Sequence, residues 1–330
     1  MLQKHSEAPI FILGAGKSGT SLLRSLLDGH PSLFVVPREA HFFEYVTRDW
    51  VDYRMRRCWP EHIPDHAVSD SLNRAVRTQL SDLNPAGDGV FAGYDLNAFN
   101  DYVDRAPTPE GYPGLFCLYM NALHYSIHKK PIPERMTVVE KSVESAEYAS
   151  VLQWMFPDCR FLHIVRNPYA NIVSLRRFKT INGRYPCLAP IVSSLYNSYY
   201  YLYKNRIHLR NYHVLRFEDL LNEPLEVMQR VAGWLVLDWA DCLLEPTVLG
   251  RPWGDNSTQG DLGGGISKAP LHHWRDDVHA LEIALCNHIG SPVLEEFGYD
   301  RLASGKRKWW PIRGERLKTY VWNRAIFGNL

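Results

Sequence analysis

Short apolar runs alternate with amphipathic stretches near the start of the chain and again after residue 130. Apolar runs bounded by turn residues are typical of strands that are covered on both faces. They predict strands at Ile10 to Leu13, Leu33 to Val36, Met136 to Glu140, Cys159 to Val165 and Tyr212 to Phe217. Helical spacing of apolar residues, with Pro or Gly near the ends, predicts helices between them. These helices are Thr20 to Leu27, Ala146 to Phe156, Asn167 to Phe178, Cys187 to Leu209, Pro224 to Leu235 and residues 276–288.

This succession predicts an α/β fold of three layers, with a central parallel sheet and helices on both faces. The carboxyl ends of parallel strands meet at one edge, where proteins of this class bind ligands. Residues 46–130 break the pattern with aromatic residues, arginines and Pro/Gly punctuation, and they predict an inserted, mainly helical cap. We therefore expect a single domain with a core at 9–45 and 131–300, this cap, and a tail at 305–330.

Composition is that of an ordinary globular protein: the 330 residues are 45% hydrophobic and 22% charged, with a net charge of +1. The sequence lacks an apolar stretch of membrane-spanning length and an apolar signal core in residues 1–8, which favours a cytoplasmic protein. The six cysteines form no CxxC pair and are expected to be reduced. Residues 306–330 hold seven Lys/Arg and one Glu, so the remainder is acidic overall, which argues against a nucleic-acid partner.

A glycine-rich turn follows the first predicted strand and leads into a helix. Its glycines allow positive φ and a close approach of the backbone, so that successive N–H groups can point at one anion. The positive end of the helix dipole and nearby hydroxyls add to that attraction. The predicted phosphate-binding residues are Gly16, Lys17, Ser18, Gly19, Thr20 and Ser21.

This turn lacks the spacing of a Walker A loop, which needs a glycine where Phe11 stands. It resembles instead the Lys-Ser/Gly-Gly-Thr-Ser/Thr loop of sulfotransferases that use 3'-phosphoadenosine-5'-phosphosulfate (PAPS). The resemblance implies a P-loop-like fold, and it implies that Lys17 touches the 5'-phosphate and the bridging oxygen to the sulfuryl group. A plain glycine turn joining strand to helix is the alternative.

A second segment combines an arginine with a serine. Arg166 follows the strand that ends at Val165, and Ser174 lies two turns into the next helix, so a guanidinium and a hydroxyl can close on one phosphate. The step of eight residues between them resembles the 3'-phosphate site of sulfotransferases. That second phosphate distinguishes PAPS from ATP. A surface arginine and a capping serine without a ligand are the alternative.

Further segments carry the resemblance. Residues 37–43 (PREAHFF) and 140–142 (EKS) resemble elements of the glycan O- and N-sulfotransferases, and residues 214–220 (VLRFEDL) resemble the segment after the long helix. Val143 stands where the glycan type has proline and where the cytosolic type has its histidine base, so that base is absent here. The resemblance covers about residues 9–45 and 137–236.

The resemblance also implies catalytic groups. Sulfuryl transfer, like phosphoryl transfer, is an in-line displacement in which positioning and electrostatics supply most of the rate. Lys17 is expected to stabilise the leaving phosphate oxygen, and Glu39 to act as general base. His41 is the rival base, and Lys141 is expected to bridge to the sulfuryl group or the acceptor. A salt bridge to Arg38 or a helix cap is the non-catalytic alternative for Glu39.

A late loop is the expected third contact with the cofactor. Residues 263–270 (GGGISKAP) combine glycines, which allow movement, with a lysine, and the family folds such a loop over PAPS. Ser267 and Lys268 are the predicted contacts. A flexible linker before the helix at 276–288 is the alternative.

The sequence thus predicts a PAPS-dependent sulfotransferase that needs no metal and releases 3',5'-adenosine bisphosphate (PAP). The expected acceptor is a small metabolite, a natural product or a glycolipid, with a glycan or peptide as the alternative, and its accepting group is a hydroxyl or an amine. A P-loop nucleotide kinase and a non-catalytic nucleotide-binding module are the competing functions. The basic, aromatic tail at 305–330 is expected to contact a second subunit or a membrane surface.

Overall fold

A computed structural model describes residues 8–47, 72, 94–180, 183–254, 265–304 and 315–327. At its centre is a five-stranded sheet in the order β2-β3-β1-β4-β5. The strands are β1 (Ile10–Gly14), β2 (Leu33–Val35), β3 (Thr137–Glu140), β4 (Arg160–Val165) and β5 (Tyr212–Arg216). Each predicted strand is present, and every neighbouring pair is parallel, so the carboxyl ends share one edge.

Helices follow the strands. The described α-helices are α1 (Thr20–Leu27), α2 (Leu96–Arg105), α3 (Gly111–His128), α4 (Ala149–Met155), α5 (Pro168–Lys179), α6 (Ala189–His208), α7 (Phe217–Asn222), α8 (Pro224–Leu235), α9 (Ala280–Ile289), α10 (Ser291–Glu296) and α11 (Leu317–Phe327). A short antiparallel pair, β6 (Thr247–Val248) and β7 (Arg251–Pro252), lies apart from the main sheet. Asn167 caps α5, accepting from the Tyr169 N–H at 3.0 Å, and Pro168 occupies the first turn.

Each face of the sheet carries a helical layer. On one face Phe11 stacks on Phe161 and meets Phe116 of α3 edge-on, with ring centroids 5.9 Å apart in the second pair. On the other face Ile12 and Leu162 pack with the leucines of α1 and the apolar side of α8. Successive residues of one strand therefore enter different cores, the period-two pattern of a sheet covered on both faces. The predicted three-layer α/β fold is confirmed.

A third apolar cluster joins α5, α6 and α9 beside β4. A buried polar network fastens it: Arg176 donates from Nε to Glu282 at 2.6 Å and from Nη2 to the Asp277 carbonyl at 2.7 Å. The Tyr185 hydroxyl donates to the same Glu282 carboxylate at 2.8 Å. This network fixes α9 against α5, and α5 in turn carries side chains of the candidate site.

Some boundaries differ from the predictions. The helix expected from Ala146 begins as α4 at Ala149 after a 3-10 turn, because the side chains of Ser142 and Ser145 bond to the buried Glu140 carboxylate and hold that turn. The helix expected from residue 276 begins at Ala280, where a capping box closes its first turn. Phe217, expected to end β5, instead begins α7.

Most of the predicted cap at 46–130 lies outside the described residues, so the cap stays a prediction. Its last helix, α3, belongs to the core, where its aromatic and leucine side chains form one helical layer on the sheet. Residues 305–314 of the tail also lie outside the described residues, and 315–327 contain α11. Within the described ranges, no helix has the length and apolar character needed to cross a membrane.

Candidate active site

The turn between β1 and α1 has the backbone of an anion-binding loop. Gly19, the N-cap of α1, has φ 105°, and a Cβ built on it would lie 2.2 Å from the ring of Phe217. Gly14 is similarly restricted, because its Cβ would lie 2.7 Å from the carbonyl of Ile164. Only glycine fits these positions. Helix α1 then begins at Thr20, and the N–H groups of its first turn have no acceptor within the helix.

Side chains from the β4–α5 segment hold the carbonyls of this loop. Asn171 donates to the carbonyl of Gly16 at 2.8 Å, and Arg166 donates from Nη1 to the carbonyl of Lys17 at 2.8 Å. Lys17 has a left-handed backbone with φ 61°, and its Nζ lies 4.6 Å from the ring centroid of Phe178. The loop carbonyls are therefore turned toward α5, which leaves the N–H side of the loop for an anion.

Three hydroxyl side chains lie in the loop and the first turn of α1. Ser18 and Thr20 are buried and Ser21 is half-buried. The Ser18 hydroxyl has no hydrogen-bond partner among the described residues. Buried polar atoms are almost always satisfied in folded proteins, so an orphaned hydroxyl inside a glycine loop fits a site built for an oxyanion.

Arg166 links the two halves of the predicted nucleotide site. It is 7% exposed, its guanidinium carbon lies 4.8 Å from the ring centroid of Phe217, and its Nη2 donates to the carbonyl of Pro270 at 3.4 Å. Burial lowers the pKa of Arg166 to about 10, and Glu218 opposes that shift, so the guanidinium keeps its charge at neutral pH. Its Nε has no partner among the described residues. Ser174, half-buried, lies two turns along α5 from this point.

The late loop reaches the site through its backbone. Pro270 is the residue whose carbonyl accepts from Arg166. Lys268 donates to the carbonyl of Asn222, at the end of α7, and the Ser267 hydroxyl accepts from the N–H of Ala269. Neither predicted cofactor contact of this loop is thus directed at the glycine turn. Gly263 and Gly264 lie outside the described residues.

Glu39 lies beyond β2 in a cluster of charges at the same edge of the sheet. Lys141, buried at the end of β3, donates to its Oε1, and His41 Nε2 lies 3.4 Å from its Oε2. His41 Nδ1 bonds to Glu144 at 2.8 Å on the other side of the ring. The sequence predicts Glu39, His41 and Lys141, but not Glu144, as parts of one catalytic centre, and the structure brings these side chains together.

The ionisation states of this cluster follow from its pairing. Burial alone would raise the pKa of Glu39, but Lys141 and His41 outweigh it and hold that pKa below its ordinary value. Burial alone would lower the pKa of His41, but the hydrogen bond and charge of Glu144 and the charge of Glu39 raise it to about 9. At neutral pH the pairing therefore favours an ionised Glu39 and a protonated His41.

Hydrogen bonds from Glu140 and Ser142 hold the backbone of the segment that carries Glu39 and His41. Its buried carboxylate accepts from the N–H of Ala40 at 3.2 Å and from the hydroxyl of Ser142. Ser142 in turn accepts from the N–H of His41 at 3.0 Å, and burial raises the pKa of Glu140 to about 7. The segment that carries Glu39 is thus fixed to the end of β3 by hydrogen bonds.

Sequence reasoning missed several of these residues. The roles of Glu140, Glu144 and Asn171 could not be read from the sequence, because they depend on contacts between residues 100 to 155 positions apart. Arg24, buried on α1, couples electrostatically to Glu39, and its place one turn after Thr20 was the available signal. Ligand atoms of Glu39, His41 and Glu144 also lie within 4.8 Å of one another, close enough to hold a metal ion.

Comparison with known proteins identifies the family. The model of the Sulfotransferase family matches residues 9–241. The omega-hydroxy-beta-dihydromenaquinone-9 sulfotransferase Stf3 of Mycobacterium tuberculosis is 24% identical over 267 residues, which cover 72% of this chain and 65% of that protein. Protein-tyrosine sulfotransferase 2 of Gallus gallus is 23% identical over 306 residues, which cover 89% of this chain and 70% of that protein.

A solved structure shares the fold. The sulfotransferase domain of the Synechococcus PCC 7002 olefin synthase superposes with a TM-score of 0.55 at 22% identity, covering 91% of this chain and 98% of that domain. The chain spans about two thirds, 65%, of the length of the mycobacterial relative that it matches. Because the family model matches more than half of the chain, including the glycine turn, Glu39, Lys141 and Arg166, the chain belongs to the sulfotransferase family.

Proposed function

We propose that this protein transfers the sulfuryl group of PAPS to a hydroxyl group of a small acceptor. The observation that carries the proposal is the bond from buried Arg166 to the carbonyl of Lys17. It joins two anion-binding elements, a glycine turn at a helix N-terminus and a fixed guanidinium, at one edge of the sheet. A nucleotide with separate 5' and 3' phosphates matches that pair of elements.

The residues present fit this cofactor. The N–H groups at the start of α1 and the Lys17 ammonium would hold the 5'-phosphate, while Arg166 and Ser174 would hold the 3'-phosphate. The cofactor supplies an activated sulfuryl group and a phosphate leaving group. Lys17 lies in the loop itself, so its charge can stabilise the oxygen that becomes negative as the sulfuryl group leaves.

Glu39 is the proposed general base, and its bond to Lys141 suggests that Lys141 controls its basicity. A carboxylate whose pKa is held below its ordinary value is a weak base while its cation stays bound. Lys141 could turn from Glu39 toward the sulfuryl oxygens when the acceptor enters. The pKa of Glu39 would then rise, and its carboxylate could accept the proton of the acceptor hydroxyl. Lys141 then stabilises transferred charge, and His41, protonated and bonded to Glu144, orients Glu39.

We further propose that the reaction uses no metal ion. The charges of Glu39 and Glu144 are balanced by Lys141 and His41 within the cluster, so a cation bound there would have to displace Lys141 and the proton of His41. A protonated His41 also has no free lone pair on the nitrogen atoms that would ligate a metal.

The proposed acceptor is a hydroxylated small molecule, natural product or glycolipid. The two relatives differ in acceptor by their names, one acting on an omega-hydroxylated dihydromenaquinone and the other on protein tyrosine. Both names describe transfer to a hydroxyl group, which is the chemistry that a carboxylate base such as Glu39 serves. A glycan or peptide acceptor is the second possibility for this chain.

Calorimetry separates this function from its rivals. A sulfotransferase should bind PAP more tightly than ATP plus Mg²⁺, and Arg166→Ala should lower PAP affinity about tenfold to a hundredfold, the value of a lost charged contact to phosphate. Arg210→Ala, an exposed arginine beyond α6, is the matched control and should leave both affinities unchanged. Equal affinity for the two nucleotides would favour a kinase. PAP binding without turnover on any acceptor would favour a non-catalytic module.

A further inference from the structure

The end of α10 directs Tyr299 back onto the protein, in the part of the chain after residue 241, where the family model ends. The N–H of Tyr299 donates to the carbonyl of Leu294 at 2.8 Å, and the N–H of Gly298 donates to the carbonyl of Glu295 at 3.4 Å. These two bonds, with Gly298 at φ 66°, form a Schellman motif. The chain therefore turns sharply after the helix, and Tyr299 is only 8% exposed.

The ring and the hydroxyl of Tyr299 have separate partners where β5 meets α7. The guanidinium carbon of Arg216 lies 4.8 Å from the ring centroid, and the hydroxyl donates to Oε2 of Glu218 at 2.7 Å. Burial and the charge of Glu218 raise the pKa of Tyr299, so the hydroxyl keeps its proton and remains a donor at neutral pH. Tyr299 thus fixes one oxygen of the Glu218 carboxylate.

The other oxygen of Glu218 bonds to the residue that follows Arg166. Oε1 accepts from the N–H of Asn167 at 2.9 Å, and Asn167 is the N-cap of α5. This bond fixes the backbone where the chain leaves β4. Phe217, next to Glu218 in α7, lies with its ring centroid 4.8 Å from the guanidinium carbon of Arg166. Two successive residues of α7 therefore contact the side chain of Arg166 and the backbone just after it.

The direction of the Glu218 carboxylate leaves the charge of Arg166 available. A buried arginine is usually paired with a carboxylate. Here both oxygens of Glu218 accept from other donors, and the guanidinium donates to the backbone carbonyls of Lys17 and Pro270. The buried Nε of Arg166 has no hydrogen-bond partner among the described residues. A buried guanidinium that is bonded to carbonyls, and not to an acid, is suited to binding an anionic ligand.

We propose that Tyr299 and Glu218 are positioning residues of the 3'-phosphate site, an inference that rests on the proposed function. Tyr299 holds the Glu218 carboxylate at the N–H of Asn167, which fixes the backbone beside Arg166 and keeps the carboxylate from pairing with the guanidinium. Without the tyrosine hydroxyl, Oε2 of Glu218 would lose its donor and could bond to Arg166, in competition with the 3'-phosphate. The chain beyond residue 241 thereby contributes to cofactor binding.

A double-mutant cycle tests the proposal, with calorimetry of PAP and of AMP, which lacks the 3'-phosphate. Tyr299→Phe should lower the ratio of PAP affinity to AMP affinity about tenfold, because the freed carboxylate competes only with the 3'-phosphate. In a Glu218→Gln background no carboxylate is present, so adding Tyr299→Phe should change that ratio less than about twofold. Affinity for AMP shows that each variant is folded.

Tyr185→Phe is the matched control, because Tyr185 is also buried and donates to a carboxylate, that of Glu282, at 2.8 Å. It should lower stability without changing the affinity ratio. An equal fall in the ratio when Tyr299→Phe is made with Glu218 or with Gln at position 218 would overturn the proposal, since the hydroxyl would then act by packing alone. An unchanged ratio in Tyr299→Phe would also overturn it. Equal affinity of the wild type for PAP and AMP is a different result, which would overturn the proposed function itself.

Discussion

Glu39 shows how a few neighbouring charges set the chemistry of one side chain. The same carboxylate faces Lys141 on one oxygen and His41 on the other, and these cations keep it ionised although it is largely enclosed. The residue types and their spacing were readable from residues 37–43 and 140–142. The pairing was not, because it depends on β2 and β3 being neighbours in the sheet.

Replacing the proposed base tests its role. Glu39→Gln should lower the turnover number at least about a hundredfold, the usual contribution of a general base, with PAP affinity within about twofold of wild type. Turnover is measured as PAP release from PAPS with p-nitrophenol or a hydroxylated lipid as acceptor. Exposed Glu134 provides the control Glu134→Gln. Unchanged turnover in Glu39→Gln would move the base to His41 or to the acceptor itself.

His41 links stability to pH. Its pKa is raised to about 9 in the folded chain from an ordinary value of about 6.5, so its pairing stabilises the fold fully below pH 6.5 and that contribution is lost as pH rises toward 9. Urea unfolding should show His41→Gln less stable than wild type at the acidic end, with the gap closing by pH 9. The gap should reach at most about 3 kcal/mol, because each tenfold change in proton affinity corresponds to about 1.4 kcal/mol. His208→Gln, at an exposed site, is the control variant. A constant gap for His41→Gln would contradict the pairing.

Metal removal distinguishes an ion-pair cluster from a metal centre. Dialysis against EDTA should leave turnover unchanged, because Lys141 and His41 already neutralise Glu39 and Glu144. Turnover is assayed before dialysis, after it, and after addition of Mg²⁺, Mn²⁺ or Zn²⁺. Loss of turnover that one of these ions restores would show that the carboxylates and His41 ligate a metal.

The β1–α1 turn and α5 form a unit larger than either element. Asn171 and Arg166 hold the carbonyls of the turn, and Phe217 at the start of α7 closes against Gly19. The glycine spacing predicted a turn that binds phosphate, and the Pro168 start of α5 was also readable. That Phe217 would begin a helix beneath Gly19, and not end β5, could not be read from a strand-like residue pattern.

Alanine substitutions at two glycines test how closely Phe217 packs against the β1–α1 turn. Gly19 and Gly183 both have positive φ, but a Cβ at Gly19 would lie 2.2 Å from the Phe217 ring, whereas one at Gly183 meets nothing within 4 Å. Gly183→Ala should cost about 1–2 kcal/mol of folding free energy. Gly19→Ala should cost a further 1–3 kcal/mol, about the usual penalty of overpacking, and weaken PAP binding. Equal costs in urea unfolding, or no relief of the Gly19→Ala penalty by Phe217→Ala, would contradict the contact.

Across the whole molecule, features set by local sequence patterns could be predicted, whereas features set by contacts between distant residues could not. The strands and most helices follow from apolar periodicity, and β-α alternation then requires a parallel sheet with its ligand edge at the carboxyl ends. The assignment of α3 to the core could not be read from its sequence, since an aromatic helix packs equally well in a cap. The direction of Lys268 toward Asn222 also depends on tertiary structure.

The central claim is that the turn with Lys17 binds the 5'-phosphate and that Arg166 and Ser174 bind the 3'-phosphate. Binding of two ligands to a set of variants tests this claim. PAP and AMP differ by the 3'-phosphate, so calorimetry of both ligands with Lys17→Ala, Arg166→Ala and Ser174→Ala assigns each element to one phosphate. We expect Lys17→Ala to weaken both ligands equally, and Ser174→Ala to weaken PAP about tenfold or more while leaving AMP near its wild-type affinity. Arg166→Ala also removes the bond to the Lys17 carbonyl, so it should weaken both ligands, and PAP more than AMP. Equal losses for PAP and AMP in Ser174→Ala and Arg166→Ala, or equal wild-type affinity for the two ligands, would contradict a two-phosphate site and with it the use of PAPS.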